Sequence, residues 1–431
     1  MQLYRRRWGL FYLPVVGAAA VAIAAAAHWL FPLPPRALVV AVGVPQGGYD
    51  RLAEQYRGEL ERRGIMMEVE TSAAGALGPL QRLAVASDPA QAGFAHGLLA
   101  ERGPEAPVHA LAVTGKQPVW IFTRAPNVTS IGGLRGMRIV AGPLGGATRQ
   151  VAEMLLAQSL LKPTDVTWSE TTGITGATEL LDQHAEAFVT IGSGDAPTVR
   201  LLSRAQGISI LGLERADALA AREPRLSSFV LPEGAIELRG DVPPHDLTML
   251  YTGTHLLVRS EMHPALQRAL LDAAMEIHSV PTFLQRQNEY PDFHTDFPLS
   301  PVAQHYSHGD RPWLESALPY WWAQLAELVL FAVLPILALA FLALIWIPRI
   351  FSLRVDALLA RYYGELNFLE RDVDVAVSDE PIRIKQLIEH LDQMELQVAS
   401  LDIPDRFADR WYTLRQHLVH VRERLLVTRA R

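Results

Sequence analysis

The sequence contains no cysteine among its 431 residues. Disulfide bonds, thiol nucleophiles and thiolate metal sites are therefore excluded together, and any folded domain must be held by apolar burial alone. Two catalytic signatures are missing as well, because neither His-Glu-x-x-His nor Gly-x-Ser-x-Gly occurs. These absences predict a protein that is not an enzyme and that uses no metal or cofactor.

Nucleotide-binding motifs are also missing. No Gly-Lys-Ser/Thr occurs, and Gly47-Gly48 lacks the third spaced glycine of a dinucleotide fingerprint. The 14 histidines are most concentrated at His294, His305 and His308, which we interpret as exposed polar residues, with a metal site as the minor alternative. A net charge of −7 with 20% charged residues gives no indication of nucleic-acid binding.

Aspartate, glutamate, lysine and arginine are absent from two long apolar stretches, Leu10–Phe31 and Leu328–Ile347. About 20 helical residues cross the ~30 Å hydrocarbon core of a bilayer, so both are candidate membrane spans. Arginines precede the first stretch and follow the second, which predicts cytoplasmic termini and an extracytoplasmic middle region. We interpret the first stretch as a retained signal anchor, with a cleaved signal peptide as the alternative.

The middle region alternates short β-branched runs with amphipathic helical patterns, which predicts an α/β fold large enough for two lobes. Leu52, Tyr56 and Leu60 share one helical face after the first such run. The predicted strands are Leu38–Val42, Val108–Val113, Val119–Thr123, Arg138–Ala141, Ala187–Ile191, Ile208–Leu211 and Leu247–Val258.

The domain organisation follows from these patterns. Heptad-like apolar spacing after the second span predicts three helices, separated near Pro381 and Pro404, for which intramolecular packing is favoured over contact with a partner. The predicted segments are a cytoplasmic N-terminus at 1–9, a transmembrane helix at 10–31, a bilobal domain at 37–290, a connector at 291–322, a transmembrane helix at 323–348 and a cytoplasmic helical tail at 351–431.

Two glycine-rich loops, 44–50 and 141–148, join predicted strands to predicted helices. Their glycines allow sharp turns, and the free N–H groups of a helix start attract carboxylate, phosphate or sulfonate groups. Ordinary strand-to-helix turns have the same composition. If the two loops face each other across a cleft, however, a binding site becomes the better interpretation.

Two further loops, 71–75 and 190–195, carry small hydroxyl residues and glycines. They could complete a polar cleft wall. Asp195 has two open interpretations, because it could hold an amino group of a ligand or cap a helix.

The order of several short motifs resembles the TAXI family of solute-binding proteins, which serve TRAP transporters. The motifs are Val42-Gly43 with Gly47-Gly48-Tyr49, the run Ile131-Gly132-Gly133-Leu134-Arg135-Gly136-Met137-Arg138-Ile139, Gly142-Pro143 with Gly145 and Thr148, and Glu186-Ala187-Phe188 with Gly192. The segments Asp296-Phe297-Pro298-Leu299-Ser300-Pro301 and Arg361-Tyr362-Tyr363-Gly364-Glu365-Leu366 resemble the membrane-tethered branch of that family. The resemblance covers residues 38 to about 370.

The resemblance implies a type II periplasmic-binding-protein-like fold, whose two lobes close on a small organic anion such as a carboxylate or amino acid. It also implies a bacterial inner-membrane location, with the binding domain in the periplasm. The expected ligand-binding residues are Gly47, Gly48, Tyr49, Ser72, Gly75, Gly145, Ala147, Thr148, Gly192 and Asp195.

The sequence departs from the family at three places: a shorter first loop, Gly146-Ala147 where serine is common, and Glu186 where aspartate is usual. The expected function is solute capture for TRAP-type transport, with the anionic solute, the membrane and a TRAP permease as partners. One alternative is a ligand sensor that signals through the second span to a cytoplasmic partner. An enzyme built on the same fold is the remaining alternative, and it lacks a candidate reactive side chain.

Overall fold

The computed structural model describes residues 2–43, 48–72, 75–102, 108–125, 127–310, 312–376, 381–401, 403 and 407–429. The chain divides into two compact units. One consists of Met1–Phe31 together with Leu328–Arg431, and the other is Pro32–Glu327.

The regular elements are numbered in chain order. The strands are β1 Ala37–Val42, β2 Met66–Thr71, β3 Ala92–His96, β4 Val108–Thr123, β5 Arg138–Val140, β6 Thr167–Ser169, β7 Ala187–Ile191, β8 Ser209–Ile210, β9 Ser227–Leu231 and β10 Leu247–Arg259. The helices are α1 Gln2–Ala25, α2 Gly48–Arg62, α3 Gly78–Ala84, α4 Ala147–Gln158, α5 Gly173–Leu181, α6 Pro197–Ser203, α7 Ala216–Ala220, α8 Pro264–His278, α9 Pro301–Ser307, α10 Trp313–Ala317, α11 Tyr320–Leu328, α12 Leu334–Ala376, α13 Pro381–Ala399 and α14 Ala408–Arg429.

The strands form one mixed sheet of order β2-β1-β3-β10-β4-β7-β5-β6, with β8 and β9 added beside β4 and β10. β1, β2 and β3 are parallel to one another, as are β5, β6 and β7. The 16-residue β4 and the 13-residue β10 run through both halves of the sheet. The sheet therefore has two α/β halves joined by two long antiparallel strands, and we refer to the halves as the first and second lobes.

The sequence predicted two strands, Val108–Val113 and Val119–Thr123, where the structure has the single strand β4. Pro118 is the reason for the wrong boundary, since proline lacks the N–H that an interior strand normally donates. It lies where β4 changes partner, because Pro118 is the last residue opposite β10 and Val119 is the first opposite β7. The interruption in the pattern therefore marks the junction of the lobes.

Each lobe has its own apolar core, and helical periodicity explains which residues enter it. In the first lobe, Tyr56 and Leu60 of α2 and Leu266 of α8 pack against β1, β3 and β10. In the second lobe, Val151 and Leu155 of α4 pack against β5 and β7. α2 therefore forms where the common face of Leu52, Tyr56 and Leu60 predicted a helix.

Residues 291–322, expected to be a connector, also pack on the first lobe. Phe297, Ala303 and Tyr306 are buried in its apolar clusters. Asp292 and Leu299 form single bridges to β4. The aperiodic composition gave no sign of this packing because the contacts are made by isolated apolar residues.

Two helical segments are apolar and long enough to cross a membrane: Leu13–Leu30, with mean hydropathy 1.8, and Tyr320–Arg371, in which an 18-residue window has mean hydropathy 3.1. The second segment begins in the α/β unit, which ends at Glu327, and continues into the other unit. A π-helical turn at Val329–Val333 precedes Pro335, where proline removes one backbone hydrogen bond. α12 is 43 residues long, so residues 334–348 of the predicted second span and the first tail helix share one helix. α12, α13 and α14 bury a common apolar seam that includes Leu359, Leu391 and Leu414.

Candidate functional site

The first glycine loop leads into α2 at the boundary between the lobes. Gly47 and its neighbours 44–46 lie outside the described residues. Gly48 is the first residue of α2, and a Cβ added there would lie 3.6 Å from Ser193 Oγ. The start of α2 in the first lobe is therefore in near contact with the loop after β7 in the second lobe.

Arg51 and Asp195 form an ion pair across this boundary. Arg51 Nη1 lies 3.5 Å from Asp195 Oδ2, and Nη2 donates to the Asp195 carbonyl at 2.9 Å. Asp195 does not cap α6, because the residue before that helix is Ala196. The pair opens onto a pocket of about 390 Å³, whose lining residues are Arg51, Asp195, Pro197, Arg200, Leu201 and Arg204.

The second glycine loop contacts the first lobe at a different place. Gly145 has φ +82°, a left-handed conformation that favours glycine, and Ala147 opens α4. Ala147 packs against the first-lobe cluster that contains Leu80 and Leu99, while Thr148 is half-buried in the first helical turn. The N-termini of α2 and α4 thus both lie against the opposite lobe.

Ser72 and Gly75 flank the part of their loop that lies outside the described residues. The Ser72 N–H donates to the carbonyls of Val42 and Gly43 at 3.1 and 3.0 Å, which ties this loop to the end of β1. Gly75 has φ +62° and starts a 3-10 turn ending at Leu77, which lies beside the same cluster as Ala147.

Gly192 lies at the junction, but its backbone groups are already engaged. Its N–H donates to the Pro118 carbonyl at 3.3 Å, and its carbonyl accepts from Trp120 Nε1 at 2.9 Å. A side chain at Gly194 would overlap the Phe283 ring, so this close approach requires glycine. The loop after β7 is therefore held by β4 on one side and by Phe283 on the other.

Glu186, one of the departures from the TAXI pattern, has a structural contact. Its carboxylate Oε2 accepts from the Arg138 N–H at 2.7 Å. This contact holds the chain before β7 against β5, away from the loops described above.

A buried polar cluster lies beneath the start of α2, and Tyr49 is the one member that the sequence indicated as a ligand-binding residue. In antiparallel pairs, opposite side chains share a face. Thr254 is opposite His96, and Thr252 is opposite Gln117. We call Tyr49, His96, Gln117, Thr252 and Thr254 the hinge polar cluster.

Several atoms of the hinge polar cluster are buried without a hydrogen bond. Among the described residues, Tyr49 Oη, both ring nitrogens of His96 and Thr252 Oγ1 have no partner of normal geometry. His96 is 2% exposed and Thr252 is 1% exposed. A buried polar group left unpaired costs about 1–3 kcal/mol, so the cluster is unsatisfied as it stands.

Burial keeps the ionisable members of the cluster neutral. Removal from water raises the pKa of the Tyr49 hydroxyl, and the neighbouring Gln117 and Thr254 side chains oppose that rise only in part. Burial, together with the nearby His255, lowers the pKa of His96 to about 4. At neutral pH the cluster therefore presents uncharged hydrogen-bonding groups.

The signal that could have identified this cluster is weak in the sequence. Thr252 and Thr254 alternate with Gly253 and His255 inside a mostly apolar strand, and His96 ends the short run Ala92-Gly93-Phe94-Ala95. Polar residues at strand positions can equally well face solvent. Only the pairing of β3, β10 and β4 shows that they share one buried face.

His255 fixes the segment after α8 to β10. Its Nε2 accepts from the Asp296 N–H at 3.1 Å and lies 3.3 Å from Asp296 Oδ2, while Nδ1 lies 3.2 Å from the Gly253 carbonyl. Burial lowers the pKa of His255 to about 4, so Nδ1 carries the proton and donates. Burial also raises the pKa of the Asp296 carboxyl.

The concentrated histidines make separate local contacts. His294 Nδ1 pairs with Asp292 at 2.7 Å, and His305 Nδ1 lies 2.7 Å from the Pro301 carbonyl. Within the part of the chain that the structure describes, no three histidine or carboxylate side chains are placed to share a metal ion.

No protein-family model and no curated protein matches this sequence. Similar solved structures include the periplasmic aliphatic sulphonate binding protein SsuA from Escherichia coli, with 15% identity, 56% of this chain and 69% of that chain covered, and a TM-score of 0.38. Malate-bound MatC from Rhodopseudomonas palustris has 13% identity, with 71% of this chain and 99% of that chain covered, and a TM-score of 0.39.

An ancestral arginine-binding protein bound to arginine has 15% identity, with 58% of this chain and 95% of that chain covered, and a TM-score of 0.36. These identities and TM-scores assign neither a family nor a ligand to this chain. The resemblance to the TAXI family stays a prediction.

Proposed function

We propose that residues 37–290 form a solute-binding domain that captures a small organic anion between its two lobes. The observation that carries the proposal is the meeting of Gly48 and Arg51 of the first lobe with Ser193 and Asp195 of the second, beside the junction of β4. Two long strands form the connection between the lobes, so their relative movement can open and close the space between them.

The start of α4 is the better-suited anion contact. Its first turn has no acidic residue, and Gly146 before it offers no capping side chain, which leaves N–H groups available. α2 carries Asp50 in its first turn, and that carboxylate competes for the same helix terminus. We therefore assign the anionic group of the solute mainly to Gly145, Ala147 and Thr148.

The membrane arrangement belongs to the same proposal. The two apolar helical segments that precede and follow the lobes in the chain fit an inner-membrane tether with the lobes on the periplasmic side. A tethered receptor captures solute beside a fixed partner, and the TAXI resemblance suggests a TRAP permease. Co-purification of a multi-span permease from detergent would support this, and recovery of a cytoplasmic regulator instead would count against it.

Anion binding is tested with the full-length chain in detergent by thermal shift against carboxylates, amino acids and sulfonates. A ligand at 100-fold above its dissociation constant should add about 2.7 kcal/mol of stability to the folded state. Agmatine, which lacks a carboxylate, and glucose serve as cationic and neutral controls. A melting temperature unchanged by every anion, or raised only by the controls, contradicts the proposal.

A sensor is the second candidate function, and α12 is the observation that favours it. This helix carries residues 334–348 of the predicted second span and the first helix of the tail without an interruption. A displacement of the span would therefore move the packed seam of α12, α13 and α14 directly. Ligand-dependent binding of a cytoplasmic protein to residues 351–431 of the full-length chain would support sensing.

A further inference from the structure

The hinge polar cluster shows features that a purely structural role does not explain. Its members lie on one face of the sheet at the lobe junction, and His96 and Thr252 are almost fully buried. Both ring nitrogens of His96 and Thr252 Oγ1 lack partners among the described residues, and Tyr49 Oη has the Gln117 and Thr254 side chains beside it without a hydrogen bond of normal geometry. Native interiors pair nearly all such groups, so exceptions call for a missing partner.

We propose that the hinge polar cluster binds an uncharged hydroxyl or amide group of the captured solute. The inference rests on the proposed function and extends it, because it defines a second recognition point on the same ligand. Tyr49 of the cluster follows Gly48, where the first lobe meets Ser193, and has the Gln117 and Thr254 side chains beside it. A solute that extends from the start of α4 to the start of α2 would therefore be next to the cluster.

The side chains of the cluster fit a ligand group that both donates and accepts hydrogen bonds. Threonine and tyrosine hydroxyls can do either, glutamine has an acceptor oxygen and a donor nitrogen, and neutral histidine has one of each. A hydroxyl or amide can satisfy several of these atoms at once. An alkyl group can satisfy none.

The charge distribution disfavours a second anionic group at this place. No member of the cluster is charged at neutral pH, and burying an unpaired carboxylate is strongly unfavourable. Lys116, next to Gln117 on β4, is committed to Glu289 at 2.6 Å. The cluster therefore selects for polarity without charge.

The test compares matched anions that differ by the proposed group. The pairs are malate with succinate, lactate with propionate, isethionate with ethanesulfonate, and succinamate with 4-methylpentanoate. Affinities are measured by calorimetry on the full-length chain in detergent. We expect the member with the hydroxyl or amide to bind at least about 10-fold more tightly in one pair, since the analogue leaves buried groups unpaired.

Two variants assign this preference to the cluster. Tyr49→Phe and Thr252→Val each remove one unpaired hydroxyl with little change of shape, and each should reduce the preference severalfold. Tyr56→Phe is the matched control, because its hydroxyl is also buried and unpaired but lies two turns further along α2, beside His278. It should leave the preference unchanged.

A measurement without ligand separates this role from a structural one. Thr252→Val should leave the melting temperature unchanged or raised, because an unsatisfied hydroxyl is removed. Thr114→Val should lower it, because the buried Thr114 hydroxyl donates to the Thr254 carbonyl at 3.2 Å. Equal losses in the two variants would show that Thr252 has a structural partner and would overturn the inference.

The outcomes of the binding test distinguish the two proposals. Equal affinity within every pair that binds, or a preference that survives in Tyr49→Phe and Thr252→Val, overturns the inference and leaves anion capture standing. If none of the eight anions binds, the inference is overturned, and if no anion of the thermal-shift screen binds either, the proposed function fails with it.

Discussion

At the residue scale, buried histidines make the stability of the α/β unit depend on pH. His278 packs against Tyr56, with ring centroids 5.8 Å apart, and its Nε2 has no partner among the described residues. Burial lowers its pKa to about 4, from 6.5 in the unfolded chain. Between these values the unfolded state binds more protons, so stability is lost as pH falls from 6.5 toward 4.

The loss of stability at low pH should depend on the His278 imidazole. His278→Phe should reduce the slope of unfolding free energy against pH between pH 5 and 6.5 by up to about 1.4 kcal/mol per pH unit. The measurement is denaturant unfolding of the full-length chain at several pH values. His294→Phe is the control, since His294 is exposed and its pKa is raised by Asp292, which gives the opposite sign. An unchanged slope in His278→Phe would contradict burial of a neutral imidazole.

A second residue-scale prediction concerns Gly145. Gly145→Ala and Gly136→Ala both place a methyl group at a positive φ, +82° and +77°, with open space around the added carbon. Each should therefore destabilise the fold by about 1 kcal/mol. Gly145 precedes the proposed anion contact of α4, whereas Gly136 lies in a turn before β5.

Only Gly145→Ala should weaken anion binding, and the loss should be about 10-fold, because the start of α4 shifts. Calorimetric titration of both variants with the best anion from the screen is the measurement. Equal weakening in the two variants would point to a general loss of folded protein instead.

At the element scale, the contact between α2 and the loop after β7 contributes little free energy to the closed form of the two lobes. Arg51 and Asp195 have 42% and 66% exposed side chains, and exposed ion pairs contribute about 0.2–1 kcal/mol. A weak pair suits a closure that must reverse. The ion pair therefore affects the equilibrium between open and closed forms more than it affects the free energy of unfolding.

The prediction at this scale is a double-mutant cycle of Arg51→Ala and Asp195→Ala. The coupling in unfolding free energy should be at most about 1 kcal/mol, and it should decrease at high salt. Both single variants should weaken solute affinity, since the open form gains population. If anion affinity is unchanged in both, the pair does not act as a closing contact.

Elements also show why some boundaries could be predicted and others could not. α8 follows from the spacing of Leu266, Ala269 and Leu270, because a 3.6-residue period buries one face whatever the neighbours are. β3 has no such pattern, because a short strand buried on both sides has no alternation. Its existence depends on the neighbours that pair with it.

At the scale of the whole molecule, lobe closure is open to direct measurement, because the chain has no native cysteine. Gln55 on α2 and Ala218 on α7 are exposed residues of the first and second lobes. Cysteines introduced there can carry a pair of spin labels. An anion that raises the melting temperature should narrow the distance distribution and shift it toward the shorter component.

The control for this measurement is a label pair within one lobe. Gln55 and Glu261 both lie on exposed positions of the first lobe, so their distance should not change when the anion is added. An inter-lobe distance that also stays constant would contradict capture by closure.

The sequence by itself determined the properties that local pattern and composition control. The α/β alternation, the apolar stretches and the tail seam through Leu359 and Leu391 follow from periodicity and hydropathy, which act through near neighbours in the chain. Glycine turns before α2 and α4 were also visible, because a sharp turn requires particular residues.

Only the tertiary structure decided which loops meet and where polar groups are buried. The contact between Gly48 and Ser193 and the common face of His96 and Thr252 join residues more than 140 positions apart. Strand order and register set these juxtapositions, and both depend on the packing of the whole sheet. The physical reason is that burial and hydrogen-bond satisfaction are properties of the assembled fold, whereas periodicity is a property of each segment.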